Sequence, residues 1–253
     1  MRTGNPTLND ATFDGLTVRD GSAQQMTLGG TVNKTALLLA LSLITAAWCW
    51  GKVMAGLDPQ TGQLASGIMP LIWGSAIGGF VIAMIATFAK KTAPFTAPLY
   101  ALVEGVFLGG ISAFFELSFP GIVTQAVMLT FGTLAALLLA YKSGLIRATE
   151  NFKLGVVAAT GAVALLYLVS FGLSFFDIRI PFIHEGGLLG IGFSLVVVVI
   201  AALNLVLDFD FIEQGVEQGA PKYMEWYAAF GLMVTLVWLY LEILRLLAKL
   251  RSE

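Results

Sequence analysis

Gly187-Leu188-Leu189-Gly190-Ile191-Gly192-Phe193-Ser194-Leu195-Val196-Val197-Val198-Val199-Ile200-Ala201-Ala202-Leu203-Asn204-Leu205-Val206-Leu207-Asp208 carries no charged side chain before its last residue. About 20 apolar residues of helix cross the roughly 30 Å hydrocarbon core of a bilayer. In lipid the backbone N–H and C=O groups must bond internally, so a run this long reads as a membrane-spanning helix. Six further segments have the same character. Together the seven lie at about 33–54, 67–89, 95–117, 121–141, 153–176, 187–208 and 225–247.

The segments between them carry breakers or charge. Asp58-Pro59-Gln60-Thr61-Gly62 is a turn, Lys90-Lys91 closes the second span, and Pro94 and Pro98 flank the start of the third. Pro120-Gly121, Lys142-Ser143-Gly144, Asp177 to Glu185 and Glu213 to Lys222 divide the rest. Residues 1–27 are polar and mixed in charge and are expected to form a mobile tail. Residues 28–253 then form the seven-helix transmembrane domain. With no apolar core near the start, a cleavable signal peptide is not expected, and the first span is read as retained.

Composition agrees. Charged residues make up 12% of the 253, against roughly 25% in a soluble domain. The mean hydropathy is +0.85. The 28 glycines suit helices packed closely in lipid. Gly74/Gly78, Gly105/Gly109 and Gly186/Gly190 each form a G-x-x-x-G, read as packing within one chain rather than a dimer face. A monomer or weak oligomer is expected.

Several functions are set aside. The net charge of −2 gives no basic excess for nucleic acid. One cysteine, Cys49, and one histidine, His184, cannot build a zinc site of the usual kind. An intramembrane Ser–His pair is poorly supported. No phosphate-binding Gly-rich loop is present. Neither an enzymatic activity nor a resident cofactor is expected.

With the N-terminus in the cytoplasm, the inner side receives Arg2, Arg19, Lys34, Lys90, Lys91, Lys142, Arg147, Lys153 and Lys222. The outer loops receive Lys52 and Arg179, and seven full spans leave Arg245, Lys249 and Arg251 outside. A re-entrant last segment would bring those three inside.

Ionisable groups within lipid are costly and so mark function. Glu104 sits in the middle of the third span, with no pairing partner nearby in sequence. It is either part of an ion path or a neutral acid hydrogen-bonded across helices. Asn204 and Asp208 are four apart and share a helical face. Asp210, turned by about 200° from Asp208, is a solvated side chain or a further part of the path. Glu213 and Glu217 read as loop carboxylates. Glu225 opens the seventh span, where a carboxylate also suits the helix dipole. Asp208 and Glu225 on adjoining helix ends could share one proton and titrate as a unit, or weakly ligate Ca²⁺. Glu242 and Arg245, three apart, read as an ion pair.

At these residues the sequence resembles the Bax inhibitor-1/YccA-like family, particularly its bacterial branch. The likeness runs over Met26 to Thr35, Tyr100 to Gly110, Leu203 to Gly215 and Glu225 to Leu247. The resemblance implies an all-α, seven-helix membrane protein with its last helix packed centrally. It implies a bacterial inner-membrane location and a passive, pH-gated Ca²⁺ leak, with Ca²⁺ and H⁺ as the ions concerned; a cation exchanger is the alternative form of the same activity. A membrane-bound protease or another membrane protein is the partner it suggests for a non-conducting regulator. Leu207-Asp208-Phe209-Asp210-Phe211-Ile212 looks like the family's aromatic-Asp-Thr-Gln-x-Ile segment, which gives Asp208 the first place in a pH-sensing carboxylate pair. The family's Tyr-Leu-Asp-Phe pattern is similar to Tyr227-Ala228-Ala229-Phe230, which lacks the acid, and to Tyr240-Leu241-Glu242-Ile243, farther along the helix. Glu225, one turn before Ala229, is the substitute for the second acid.

Overall fold

The structure, a computed structural model, describes residues 25–58, 64–176 and 187–252. Residues 1–24 of the expected 1–27 tail, the turn at 59–63 and the loop holding His184 and Gly186 lie outside them. Among the described residues, seven long helices follow one another. They are α1 (Leu28–Ala55), α2 (Ile68–Phe88), α3 (Ala93–Ser118), α4 (Ile122–Lys142), α5 (Glu150–Ser174), α6 (Leu188–Glu217) and α7 (Met224–Arg251). A short 3₁₀ turn, Lys90–Thr92, leads into α3. All seven are long and apolar enough to cross a membrane.

The helices begin where local chemistry sets them. The Thr27 hydroxyl accepts from the Gly30 N–H at 3.0 Å and caps α1. This cap starts α1 at Leu28, ahead of the expected 33. Thr149 caps α5 in the same way through the Phe152 N–H. Gly121 enters α4 with φ of 82°, a left-handed conformation that Pro120-Gly121 supplies without a Cβ clash.

Two expectations need correcting. The sixth helix does not stop near Asp208 but continues to Glu217. Its added turns mix Asp210, Glu213, Gln214 and Glu217 with Phe209, Phe211, Ile212 and Val216, so hydropathy ends the span early. Their side chains nevertheless find partners, and nothing forces the backbone out of helix. Gly74 has open space where a Cβ would sit, and Gly78 meets only Val103 at 3.6 Å, so this G-x-x-x-G makes no close helix approach within the chain.

The chain forms two compact units. One holds Gly121–Gln214 and Val234–Glu253, hence α4, α5, most of α6 and the second half of α7. The other holds Gly15–Pro120 and Gly215–Met233, hence α1 to α3 and the start of α7.

In the second unit α3 packs against α1 through glycine. A Cβ on Gly105 would strike Thr45 and the Ser42 backbone, and one on Gly109 would strike the Ala46 backbone. Gly110 leaves room for Ile72 of α2. This is intrachain packing, as expected for that pair. Cys49, Val53, Ile68, Ile72 and Ala113 form a buried apolar cluster there. The outward faces stay apolar: Trp73, Ile77 and Phe80 on α2 and Leu154, Leu165 and Leu168 on α5 are all largely exposed. Such contiguous exposed apolar faces suit lipid rather than water.

Candidate functional site

Glu225 opens α7 with its side chain fully buried. Its Oε1 accepts from the Thr27 backbone N–H and from the Thr27 hydroxyl, both at 2.9 Å. Lys222 Nζ donates to the same oxygen at 2.9 Å. Lys34 Nζ pairs with Oε2. The Lys34 ammonium also stands 5.3 Å from the centroid of the Trp226 ring. Gly30 faces the carboxylate so closely that a Cβ there would overlap it.

The chain beside this cluster is tied down as well. Met26 is buried, and its N–H donates to the Ala220 carbonyl at 2.7 Å. Gln25 bridges to Pro221. The start of α1 is thus joined to the α6–α7 connection, with Glu225 at the centre. The α1 dipole, two ammonium groups and the N–H and hydroxyl of Thr27 all favour the ionised carboxylate. Within its own unit, the groups gathered around Glu225 are cationic or neutral donors.

The unit containing α5 carries a second polar arrangement. Lys153 is buried and pairs with Asp210 at 2.7 Å, with Glu150 at 3.6 Å. Gln214 donates to the same Asp210 carboxylate at 2.6 Å. Asp210 is therefore a mostly covered, ion-paired group and not a solvated one, because Lys153 from α5 reaches it. Glu213 is helical and exposed, and it accepts from the Tyr141 hydroxyl.

One level along, Asn204 Nδ2 donates to Thr160 Oγ1 and to the Ile200 carbonyl, both at 2.8 Å. Farther along, the Tyr167 hydroxyl bonds to Glu242 Oε1 at 3.0 Å and accepts from Arg245 at 2.7 Å. Arg245 and Glu242 form the expected ion pair at 2.9 Å. Lys249, also buried, donates to the Gly190 carbonyl at 3.1 Å.

Asp208, the residue given the leading role, has no solvent exposure and lies on the buried face of α6 with Asn204. Glu104 is buried on α3, its Oε2 2.9 Å from where a Cβ on Gly79 would stand. Asp208 belongs to one unit, and Glu225 and Glu104 to the other. Among the described residues, no group of three or more His, Cys, Asp or Glu side chains is placed to hold a metal ion.

The residues that sequence reasoning missed are mostly the partners. Lys34 and Lys153 enter the sequence analysis only as markers of orientation, yet Lys34 neutralises the buried Glu225 and Lys153 the mostly covered Asp210. Thr160 and Tyr167 drew no notice. Their signal was present in the spacing, since Lys153, Thr160 and Tyr167 recur every seven residues and so share one helical stripe.

No curated protein and no solved structure matches the chain. The family model described as Bax inhibitor 1 like matches residues 5–252, nearly the whole sequence. Seven helices suited to crossing a bilayer, apolar faces turned outward, buried carboxylates within and a match of that length lead to one assignment. The chain is an integral membrane protein and belongs to the Bax inhibitor 1 like family.

Proposed function

We propose that the protein is a pH-sensitive cation leak that passes Ca²⁺, in the manner its family resemblance implies, and that it is not an enzyme. The observation that carries this reading is Asp208, a carboxylate with no solvent exposure on a membrane-spanning helix. Such a group is retained in lipid at considerable cost, and function is the default reason for it. Its change of charge on protonation is the gating event.

Glu225 has a separate part in the gate. Its ionised carboxylate, held in that form by Lys34, Lys222 and Thr27, keeps the start of α1 against the α6–α7 connection, so it anchors the gate that Asp208 switches. Glu104 lines the path in the other unit, and Asn204 lies beside Asp208. Ca²⁺ is cargo here, met weakly by Asp208 in passing. The protein sits in a bacterial inner membrane with its N-terminus in the cytoplasm, the orientation that the Lys and Arg distribution favours.

The test is Ca²⁺ influx into liposomes holding the purified chain, across about pH 6 to 8, beside empty liposomes. A pH-dependent influx that flattens in Asp208→Asn supports the reading. An unchanged pH profile in that variant removes Asp208 from the gate, and no influx at any pH removes the leak.

A second reading has its own observation. Gln25, Met26 and Thr27 are fastened to the α6–α7 connection and to Glu225, so a pull on the preceding residues would be felt at α7. That suits a regulator which binds another membrane protein, such as a membrane-bound protease, through its N-terminal segment. Deleting residues 2–24 separates the two. Lost partner capture with intact Ca²⁺ flux assigns the segment to binding and leaves the leak as a distinct activity.

A further inference from the structure

The inward face of α5 is unusual for a lipid-embedded helix. Its inward positions are Lys153, Val156, Thr160, Val163, Tyr167 and Ser170, spaced alternately three and four apart. Four of these six are polar. The polar rungs Lys153, Thr160 and Tyr167 recur every seven residues, about 10 Å apart at 1.5 Å rise per residue. Each meets a polar group of a neighbouring helix, namely Asp210 and Asn204 on α6 and Glu242 with Arg245 on α7.

The bonds Lys153–Asp210 and Thr160–Asn204 fix α5 and α6 as antiparallel and set their register. The same register brings Ser194 of α6 level with Ser170 of α5. The Tyr167–Phe193 ring contact, with centroids 6.3 Å apart, agrees with it. Polar groups therefore mark this face of the unit from Lys153 at one end of α5 to Ser170 near the other.

Interhelical glue accounts for Thr160 and Tyr167. It does not account for two atoms. Asn204 Oδ1 and Ser194 Oγ belong to residues 2% and 1% exposed, and among the described residues neither atom has a hydrogen-bond partner. Leaving such atoms unsatisfied is costly, and the usual remedy is bound water.

We infer that water occupies this α5–α6–α7 face and that, with the rungs, it forms a hydrated file conducting protons. A step of about 10 Å between rungs is bridged by about three hydrogen-bonded waters. Hydroxyls suit a relay because each can donate and accept. A proton taken up by one oxygen releases another from that same oxygen, so Thr160, Tyr167, Ser170 and Ser194 end each passage unchanged. The net result is one proton moved. The charged groups stand in pairs, Lys153 with Asp210 and Glu150 at one end, Glu242 with Arg245 toward the other, and Lys249 lies beyond. Asp208 lies buried on α6 between Asp210 and Asn204. Between Thr160 and Ser170 the one carboxylate described as meeting the file is Glu242, and Arg245 already pairs with both of its oxygens, so the file suits protons better than a divalent cation. This inference rests on the protein being an ion-conducting member of its family, but not on Asp208 as a gate.

The experiment uses the full chain in liposomes that contain a pH-indicating dye. Potassium and valinomycin set an inside-negative potential, and a chelator removes Ca²⁺. The expected result is acidification of the lumen faster than in empty liposomes. Thr160→Val and Tyr167→Phe should each slow it about tenfold, with Thr160→Ser close to the parent. Acidification no faster than in empty liposomes, or unchanged in both Thr160→Val and Tyr167→Phe, overturns the file. Elution profile and thermal midpoint identify variants that fold, and if Tyr167→Phe does not, the Thr160→Val and Thr160→Ser pair decides. Parallel liposomes with a Ca²⁺ indicator keep the two activities apart. Ca²⁺ influx without proton flux sinks the file alone, and proton flux without Ca²⁺ influx sinks the leak alone.

Discussion

The Glu225 carboxylate, at the start of α7, accepts from both the backbone N–H and the hydroxyl of Thr27, the residue that caps α1. One acid thereby completes the N-terminus of a helix 198 residues earlier in the chain. Lys34 and Lys222 supply the opposing charge.

Glu225→Gln should destabilise the protein by about 3 kcal/mol, the lower part of the range for breaking a buried ion pair. Lys34→Met should cost a similar amount, since its side chain is 17% exposed. Lys222→Met should cost under about 1 kcal/mol, because that side chain is 43% exposed and solvent screens it. Thermal midpoints in one detergent rank the three. Lys222→Met as the most damaging would contradict the clasp.

The two G-x-x-x-G patterns that can be compared should respond in opposite ways. Gly109→Ala drives a Cβ into the Ala46 backbone and should lower stability by about 1–3 kcal/mol. Gly74→Ala meets nothing within 4 Å and should be neutral or raise stability by about 0.5 kcal/mol through helix propensity. Unfolding of the detergent-solubilised variants, followed by a thiol-reactive dye at the buried Cys49, reads both. Equal midpoints for the two would refute the α1–α3 contact.

Lys153 and Asp210 should couple strongly. Each single change, Lys153→Met or Asp210→Leu, leaves a covered charge without its main partner and should cost about 3 kcal/mol. The double variant should cost clearly less than the sum, with an interaction term of about 1.5–3 kcal/mol. Simple additivity in the double-mutant cycle would mean that the pair contributes nothing.

Glu104→Gln keeps the shape of the side chain and removes its charge. If Glu104 lines the ion path, Ca²⁺ influx into liposomes falls several-fold while the thermal midpoint stays within about 2 °C. Unchanged influx would return Glu104 to the role of a neutral acid seated against Gly79.

The seven helices were legible because a bilayer demands one simple property, a long apolar run, and every span displays it. The helix ends were less so. Thr27 moved the start of α1 outward by capping it, and the turns after Asp208 stayed helical because Lys153 and Tyr141 were there to meet them. The candidate acids were legible for a related reason: a charge in an apolar run stands out. Their partners were not. Lys34 lies 191 residues from Glu225 in sequence, and nothing local in either stretch announces the contact. The Glu242–Arg245 pair was found because three residues of helix bring it together without tertiary help.

The bond between Thr27 and Glu225 also constrains biosynthesis. As the chain leaves the ribosome, α1 enters the membrane first, its leading end still lacking the acid that will fasten it. Lys34 then has no buried counter-ion until the last span arrives. Insertion of the final helix is therefore also the step that finishes the first one. A nascent chain cut short before Glu225 would leave Lys34 without the carboxylate it pairs with in the finished protein.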